Sequence, residues 1–308
     1  YMRIAFFGTP EFAVPTLRAL AASLHTIEVF TQPDKPVGRK SVLTPPPVKS
    51  EALKLGLPVH QFDKIRSREG CDALRAFQPD LLCVVAFGQL FSQENLDIAP
   101  HGAINVHGSL LPLYRGASPI QQTVIDGQKE AGVSTMLLVK RMDAGDVLMQ
   151  ASTPLGPEET YGELSVRLSV LGADLFMKTL AALEAGTLQR HPQEEERATY
   201  CKMLTRDTGK LSMDMSAMQI HNLVRGTDPW PGAYAILGEE KLKIWRTLFI
   251  SHDAEHPVGM LWGSPKDGLF LQCRDGVLML QELQAPGGKR MNGNAFLRGH
   301  DITGSILR

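Results

Sequence analysis

A short stretch of this chain carries side chains that suit acyl-group chemistry. Asn105 and His107 lie two positions apart, and Asp143 follows later in the sequence. An amide can donate a hydrogen bond to a developing oxyanion, an imidazole can accept a proton, and a carboxylate can orient that imidazole. On an extended strand, residues two apart point to the same face, so Asn105 and His107 should lie together. The pattern predicts an acyl-transfer site with Asn105, His107 and Asp143 as its catalytic residues.

The predicted positions of these residues favour a functional site. Residues 102–106 have the pattern of a central strand, and Gly108 allows the backbone to turn just after it. The loop that carries Asp143 follows another predicted strand, residues 133–139. Because open α/β sheets bind ligands at the carboxyl ends of their strands, we expect the three side chains to share one crevice. The alternative is a strand-end histidine that is hydrogen-bonded only by its own neighbours.

The first part of the chain alternates apolar strand patterns with helical patterns. Strands that are apolar throughout are typical of a parallel sheet that is covered on both faces. Thr160 and Glu163 have the spacing of a capping box and predict the start of a long helix, which Gly186 should end. The predicted strands cover residues 3–7, 27–31, 81–86, 102–106, 133–139 and 147–151.

The last third of the chain has a different pattern. A polar run at residues 193–197 predicts a linker, which we place at 189–206. After a predicted helix at 217–225, short apolar runs lie between glycines, a pattern typical of a small β-barrel or β-sandwich. We therefore predict a catalytic domain at 1–188 and a C-terminal domain at 207–308. The apolar runs are residues 233–237, 242–249, 258–262, 269–273 and 277–283.

Composition excludes several classes of protein. The net charge of −1 over 308 residues gives no general attraction to nucleic acid or to a membrane surface. The longest apolar run, residues 81–87, is too short to cross a bilayer, and no secretory leader pattern precedes Met2. The four cysteines have no metal-ligand spacing. We expect a protein of a reduced, cytoplasmic compartment.

Two other segments have features that could serve phosphate binding. Gly8 lies where a dinucleotide-binding loop would begin, but it is a single glycine and Pro10 lacks a backbone donor, which argues against a nicotinamide cofactor. The proline-rich loop at residues 33–49 has four cations and one acid, a balance that allows phosphate contacts. The alternative for this loop is a stiff connection that ends at a helix.

Several segments together resemble the methionyl-tRNA formyltransferases, a family of 10-formyltetrahydrofolate-dependent formyltransferases. The asparagine, histidine and aspartate set is shared by that whole superfamily, whereas the other segments resemble the tRNA-modifying family. The chain departs from the family in its loop at residues 38–42, which has fewer cations, and at residues 211–213. The similar segments are residues 7–13, 30–36, 38–39, 105–112, 114–121, 289–291 and 296–299.

The resemblance implies both a reaction and an architecture. The reaction is transfer of a formyl group from 10-formyltetrahydrofolate to the α-amino group of methionyl-initiator tRNA. The architecture is a Rossmann-like, mostly parallel sheet with helices on both faces, followed by a small OB-like β-barrel domain that binds tRNA. A monomer without a metal is implied as well. The resemblance leaves open whether His107 is a general base or only an electrostatic stabiliser.

The same resemblance assigns binding residues. For the folate cosubstrate they are Phe87, Gly88, Leu90, Ser109, Leu110, Leu111, Pro112 and Val139. For tRNA they are Arg39, Lys40, Lys49, Lys289 and Arg290, with Arg39 as the leading candidate.

Three alternative functions stay open at this point. An amino-sugar-nucleotide formyltransferase would use the same active site, and residues 139–141 and 228–232 would suit it, but such enzymes lack the proline-rich basic loop. A 10-formyltetrahydrofolate hydrolase would use the same three residues with water as the acceptor. A non-catalytic nucleotide- or RNA-binding module would use none of this chemistry.

Overall fold

A computed structural model describes the whole chain, Tyr1–Arg308. None of its helices has a stretch that is both long and apolar enough to cross a lipid bilayer. The strands are β1 Arg3–Gly8, β2 Thr26–Thr31, β3 Lys35–Val37, β4 Val42–Thr44, β5 Val59–Gln61, β6 Leu81–Val85, β7 Ala103–His107, β8 Arg115–Gly116, β9 Glu130–Leu137, β10 Val147–Pro154, β11 Tyr200–Cys201, β12 Ala233–Leu237, β13 Glu240–Ser251, β14 Leu261–Ser264, β15 Gly268–Cys273, β16 Gly276–Gln284 and β17 Met291–Asn292. The α-helices are α1 Val14–Ala21, α2 Pro47–Lys54, α3 Arg68–Phe77, α4 Gln93–Asp97, α5 Pro119–Ile125, α6 Tyr161–Ala185, α7 Ala217–Gly226 and α8 Gly293–Gly299.

A seven-stranded sheet forms the centre of the first compact unit, with the strand order β10-β9-β7-β6-β1-β2-β5. Strands β5, β2, β1, β6 and β7 are parallel. Alternate residues of these strands belong to two separate hydrophobic cores. Phe6 and Cys83 pack on one face of the sheet, and Phe7 and Val84 pack on the other. Apolar side chains are therefore buried on both faces, and the predicted mostly parallel sheet is confirmed.

The predicted parallel arrangement does not extend to β9. This strand runs antiparallel to β7, so Leu137 at its carboxyl end lies opposite Ile104, and Ser134 lies opposite His107. An apolar strand has the same side-chain pattern in either direction, so the pattern does not reveal this reversal. The loop that carries Asp143 therefore does not start at the sheet edge where β7 ends.

The long helix begins and ends where the sequence predicts. The Thr160 hydroxyl accepts a hydrogen bond from the Glu163 amide at 3.2 Å, and the Glu163 carboxylate accepts one from the Thr160 amide at 3.2 Å. This reciprocal pair satisfies two donors that the first turn of a helix leaves free. At the other end, Gly186 adopts a φ of +70°, a left-handed conformation that glycine adopts without steric cost.

The proline-rich loop contains a hairpin. Strands β3 and β4 pair antiparallel, with Gly38 at a φ of +76° in the turn between them. Helix α2 begins at Pro47, a residue whose fixed φ suits the first helical turn. The segment is therefore a short ribbon joined to a helix.

The second compact unit contains an antiparallel sheet with the strand order β12-β13-β16-β15-β14, and β17 pairs with β16. Helices α7 and α8 add Ile220, Val224 and Phe296 to its core. The last residues of the chain connect the two sheet edges, because Leu307 bridges Leu237 and Ile306 bridges Met260. This closure agrees with the predicted small β-barrel.

The chain forms two compact units, and each unit is made of three separate segments rather than one continuous stretch. The first unit comprises Tyr1–Gly116, Ala131–Thr153 and Ser165–Tyr200. The second comprises Ala117–Glu130, Pro154–Leu164 and Cys201–Arg308. Residues 189–200, which are most of the predicted linker, lie in the first unit.

Candidate active site

His107 is the last residue of β7 and is buried. Its Nε2 atom lies 2.8 Å from the carbonyl oxygen of Tyr114. A carbonyl oxygen only accepts hydrogen bonds, so Nε2 carries the proton and donates it. In the neutral imidazole the lone pair is then on Nδ1, and this atom is available to accept a proton.

Asp143 lies beside that lone pair. One carboxylate oxygen, Oδ1, is 3.8 Å from His107 Nδ1, and the other, Oδ2, accepts a hydrogen bond from the Gly116 amide at 2.8 Å. The residue has a φ of +52°, a left-handed conformation that is uncommon outside glycine. The structure thus brings the predicted histidine and aspartate together, although the loop doubles back from β9 to do so.

Asn105 is the middle residue of β7 and lies between two neighbouring strands. It pairs with Val84 of β6 and with Met136 of β9, and its side chain is half-buried. As residues 105 and 107 alternate with Val106, which packs in the core of the opposite face, the amide and the imidazole share one side of the sheet. The sheet therefore fixes the relative positions of Asn105 and His107.

The predicted folate residues after β6 form a tightly held turn. Phe87 is buried against Phe7, and its carbonyl oxygen accepts a hydrogen bond from Thr9 Oγ1 at 2.7 Å. Gly88 has a φ of +87°, and its carbonyl oxygen accepts from Gln32 Nε2 at 2.9 Å. In contrast, the side chain of Leu90 is 70% exposed.

Val139 is similarly exposed, at 43%, in the loop that carries Asp143. Met142, which precedes Asp143, is exposed to 64%. Apolar side chains that flank a polar site in this way provide surface for an apolar ring.

The predicted folate residues after His107 form a turn with many hydrogen bonds. Ser109 Oγ donates to the Leu113 carbonyl at 2.6 Å. The Leu111 amide donates to Ser134 Oγ at 3.1 Å, and the Leu111 side chain is buried with Met136 and Val147. Leu110 and Pro112 are half-buried beside it. Leu111 therefore anchors the turn in the core, whereas Leu110 and Pro112 keep part of their surface exposed.

The three cations predicted in the proline-rich loop have different surroundings. Arg39 and Lys40 lie in the exposed turn of the β3–β4 hairpin. Lys49 Nζ lies 3.1 Å from both carboxylate oxygens of Asp34. Hydrogen bonds from Gln61 and then from Lys49 hold the pKa of the Asp34 carboxyl below its usual range. Lys49 is thus paired at the base of the hairpin, and Arg39 and Lys40 are open to a partner.

The two cations predicted near the C-terminus also differ from each other. Lys289 is exposed. The Arg290 guanidinium lies 3.7 Å from the centre of the Trp245 ring and 3.3 Å from a carboxylate oxygen of Asp228. A guanidinium that already stacks on a ring and pairs with a carboxylate is less available to a phosphate.

Several residues that support the site were not identified from the sequence. Tyr114 and Gly116 act through main-chain atoms, which leave no side-chain signature. Gln193 lies in the polar run that predicts a linker, yet its Nε2 atom donates to the Asp143 carbonyl oxygen at 2.8 Å. Only a tertiary contact could have shown its connection to the site.

The arrangement brings together the groups that acyl transfer requires. A proton-accepting nitrogen lies beside a carboxylate that would stabilise the charged imidazolium, and an amide lies on the same face of the strand. No group of three or more histidine, cysteine, aspartate or glutamate side chains is arranged to hold a metal ion.

The mostly parallel sheet and the separate β-barrel are the two domains of a known class of enzyme. A family model described as formyl transferase matches residues 2–180, and a model for the formyl transferase C-terminal domain matches residues 203–301. The chain belongs to the formyl transferase family.

Curated relatives make the comparison more specific. The chain is 42% identical to a methionyl-tRNA formyltransferase from Ruminiclostridium cellulolyticum over 99% of both chains. It is 43% identical to a methionyl-tRNA formyltransferase from Trichlorobacter lovleyi over 99% of this chain and 96% of that protein.

Solved structures share the fold at low sequence identity. An N-formyltransferase from Helicobacter canadensis, in complex with folinic acid and dTDP-3-aminofucose, has a TM-score of 0.68 at 15% identity. The match covers 94% of this chain and all (100%) of that one. HypX from Aquifex aeolicus, in complex with tetrahydrofolic acid, has a TM-score of 0.64 at 14% identity over 96% of this chain and 47% of that one.

Proposed function

We propose that this protein transfers a formyl group from 10-formyltetrahydrofolate to the α-amino group of methionyl-initiator tRNA. The proposal rests on the geometry around His107. Its Nδ1 atom faces the Asp143 carboxylate, and the strand that carries His107 also presents Asn105. The full-length similarity to methionyl-tRNA formyltransferases supports the choice of acceptor.

In the proposed reaction, the methionyl amino nitrogen attacks the formyl carbon and forms a new C–N bond. His107 Nδ1 accepts the proton that the amine loses, and Asp143 stabilises the resulting imidazolium. The bond between the formyl carbon and N10 of the folate then breaks, and the proton passes to N10. The products are N-formylmethionyl-tRNA and tetrahydrofolate, so atoms and charges balance.

Asn105 has a separate role in this proposal. Attack on the formyl carbon places negative charge on the formyl oxygen, and the Asn105 amide donates a hydrogen bond to that oxygen. A donor that is already in place costs no reorganisation as the charge develops. Because β7 is hydrogen-bonded on both sides, Asn105 is held more rigidly than a loop residue would be.

The folate cosubstrate is proposed to lie against the turn at residues 87–90 and the loop at 139–142. The exposed side chains of Leu90, Val139 and Met142 provide apolar surface for a pterin ring. Backbone groups of Phe87 and Gly88, together with residues 109–112, line the proposed pocket. The folate compounds bound by the Helicobacter canadensis and Aquifex aeolicus proteins support this class of ligand.

The tRNA is proposed to contact Arg39 and Lys40 in the β3–β4 hairpin and Lys289 in the C-terminal domain. All three side chains are exposed, and a phosphate backbone is the partner that such cations attract. Lys49 and Arg290 contribute less directly, since each is paired with a carboxylate. We further propose a monomeric enzyme that works in the cytoplasm.

The acceptor is tested by supplying 10-formyltetrahydrofolate, labelled in its formyl group, to the purified protein with three acceptors in parallel. These are methionyl-initiator tRNA, an amino-sugar nucleotide and water alone. We expect label in the methionyl-tRNA and little in the other two products. Label in the sugar, or release of formate at the same rate without tRNA, would assign one of the alternative activities instead.

A further inference from the structure

Residues 191–200, here called the buttress segment, run along the two loops that complete the candidate site. The Tyr114 amide donates to Thr199 Oγ1 at 2.8 Å, and the Arg115 amide donates to the Thr199 carbonyl at 2.9 Å. At the start of the segment, His191 and Val147 exchange two backbone hydrogen bonds of 2.9 Å. A polar stretch that makes such contacts is part of the structure around the site.

Gln193 is the point where the buttress segment reaches Asp143. Its Nε2 atom donates to the Asp143 carbonyl at 2.8 Å and to the Gly145 carbonyl at 2.7 Å. Its Oε1 atom accepts from Arg115 Nε at 3.0 Å and from Nη2 at 2.9 Å. A guanidinium only donates and a carbonyl only accepts, so the four contacts fix the orientation of the Gln193 amide.

Arg115 is fully buried and is itself held in place. Its guanidinium makes two hydrogen bonds of 3.0 Å to the Glu195 carboxylate and one of 3.1 Å to the Tyr200 hydroxyl. The hydrogen bond to Glu195 is the main reason that the pKa of Arg115 is raised, and the same contact lowers the pKa of Glu195. Glu195 also pairs with Arg141, which lies in the loop of Asp143.

We propose that Gln193 is a positioning residue for Asp143, with Arg115 fixing the Gln193 amide. Asp143 is held on two sides, since Gly116 donates to its carboxylate and Gln193 donates to its carbonyl. The left-handed φ of Asp143 is a conformation that needs such restraint. Gln193 acts through Asp143 on His107 and need not touch either substrate. This inference rests on the function proposed above.

The test compares Gln193→Glu with a control variant in the wild-type protein, and then repeats Gln193→Glu in an Asp143→Ala protein. Gln193→Glu keeps the shape of the side chain but replaces the donor to both carbonyls by an acceptor. We expect kcat to fall by about tenfold to a hundredfold, because small displacements of catalytic groups have effects of that size, while KM for both substrates changes little. Glu194→Gln is the matched control: this neighbouring side chain is exposed and pairs only weakly with Arg197 at 3.9 Å, so its kcat should equal that of the wild type.

The second background separates positioning from general structural support. If Gln193 acts through Asp143, Gln193→Glu should cause no further loss in the single-turnover rate constant of an Asp143→Ala protein, measured with labelled formyl donor. The same fold-loss in both backgrounds, or an unchanged kcat in Gln193→Glu alone, would overturn the inference. Should Gln193→Glu unfold, Gln193→Met removes the same hydrogen bonds without adding a charge. An inactive wild type would contradict the proposed function instead.

Discussion

The Nδ1 atom of His107 lies 3.8 Å from Oδ1 of Asp143, slightly beyond hydrogen-bond distance. Nε2 donates to the Tyr114 carbonyl oxygen, so Nδ1 of the neutral imidazole carries a lone pair, and this lone pair faces the carboxylate. Protonation of Nδ1 would turn the same contact into an ion pair with a donor facing an acceptor. The contact can therefore accommodate the proton that Nδ1 takes up in the proposed reaction.

Asn105→Ala should slow the chemical step without disturbing binding. Loss of a preorganised oxyanion donor lowers kcat by about 10²–10³-fold, or about 3–4 kcal/mol of transition-state stabilisation. KM for the formyl donor and for methionyl-tRNA should stay close to the wild-type values. Steady-state kinetics with Asn294→Ala as a control for amide removal elsewhere would check this. A kcat near that of the wild type would contradict the role given to Asn105.

Gly145→Ala should displace the loop that carries Asp143. A Cβ atom at Gly145 would collide with the Leu137 carbonyl oxygen, and neither backbone can move easily. The Gly145 carbonyl also accepts one of the hydrogen bonds from Gln193. We expect kcat to fall by about a hundredfold, the size of effect that a displacement of about 1 Å can have. Gly299→Ala, where an added Cβ meets no atom within 4 Å, should leave kcat unchanged.

Arg39→Ala should weaken tRNA binding in a way that depends on salt. Each lost phosphate contact reduces the slope of log affinity against log salt by about 1. Lys49→Met should change the slope less, since Lys49 is already paired with Asp34. Filter binding of methionyl-tRNA at several salt concentrations compares the two variants, with Lys54→Ala, an exposed cation of α2, as the control. Equal slopes for Arg39→Ala and the wild type would exclude Arg39 from the contact.

The cysteines should be unreactive while the protein is folded. All four are buried, and burial raises the pKa of Cys273 to about 12 and that of Cys83 well above its usual value. At pH 8 only about one Cys273 in 10⁴ is then a thiolate, the form that reacts. Ellman's reagent should label four thiols in denaturant and almost none without it. Rapid labelling of the native protein would contradict the burial.

The same shifts determine how stability depends on alkaline pH. An unfolded thiol loses its proton near pH 8.5, whereas the buried thiols of Cys83 and Cys273 keep theirs above that pH. Above that pH the unfolded chain binds fewer protons than the folded chain, so the stability should fall as the pH rises.

Much of the fold followed from local patterns. The alternation of apolar residues located the central strands, and the Thr160–Glu163 pair located the start of α6. The direction of β9 could not be predicted in this way, since the pattern of apolar residues is the same for both directions of a strand. Barrel closure by residues 305–308 depends equally on pairing between distant segments, which a short sequence window does not reveal.

The residues of the site likewise fall into those that local sequence predicts and those that depend on tertiary contacts. Residue types and spacing pointed to Asn105, His107 and Asp143, because their chemistry is carried by side chains. Gln193 and Arg115 are different: their contribution depends on which carbonyl oxygens and amides they meet after folding. A run as polar as residues 193–197 has the composition of a solvated linker, and only tertiary contacts distinguish the two.

His107 and Asp143 are proposed to act as one unit on a formyl group. The most direct test compares single-turnover formylation of methionyl-tRNA by His107→Ala, by Asp143→Ala and by the double variant. Groups that act as a unit have strongly non-additive effects, so the double variant should be about as slow as the slower single variant. Losses that multiply in the double variant, or nearly full activity in either single variant, would contradict the claim.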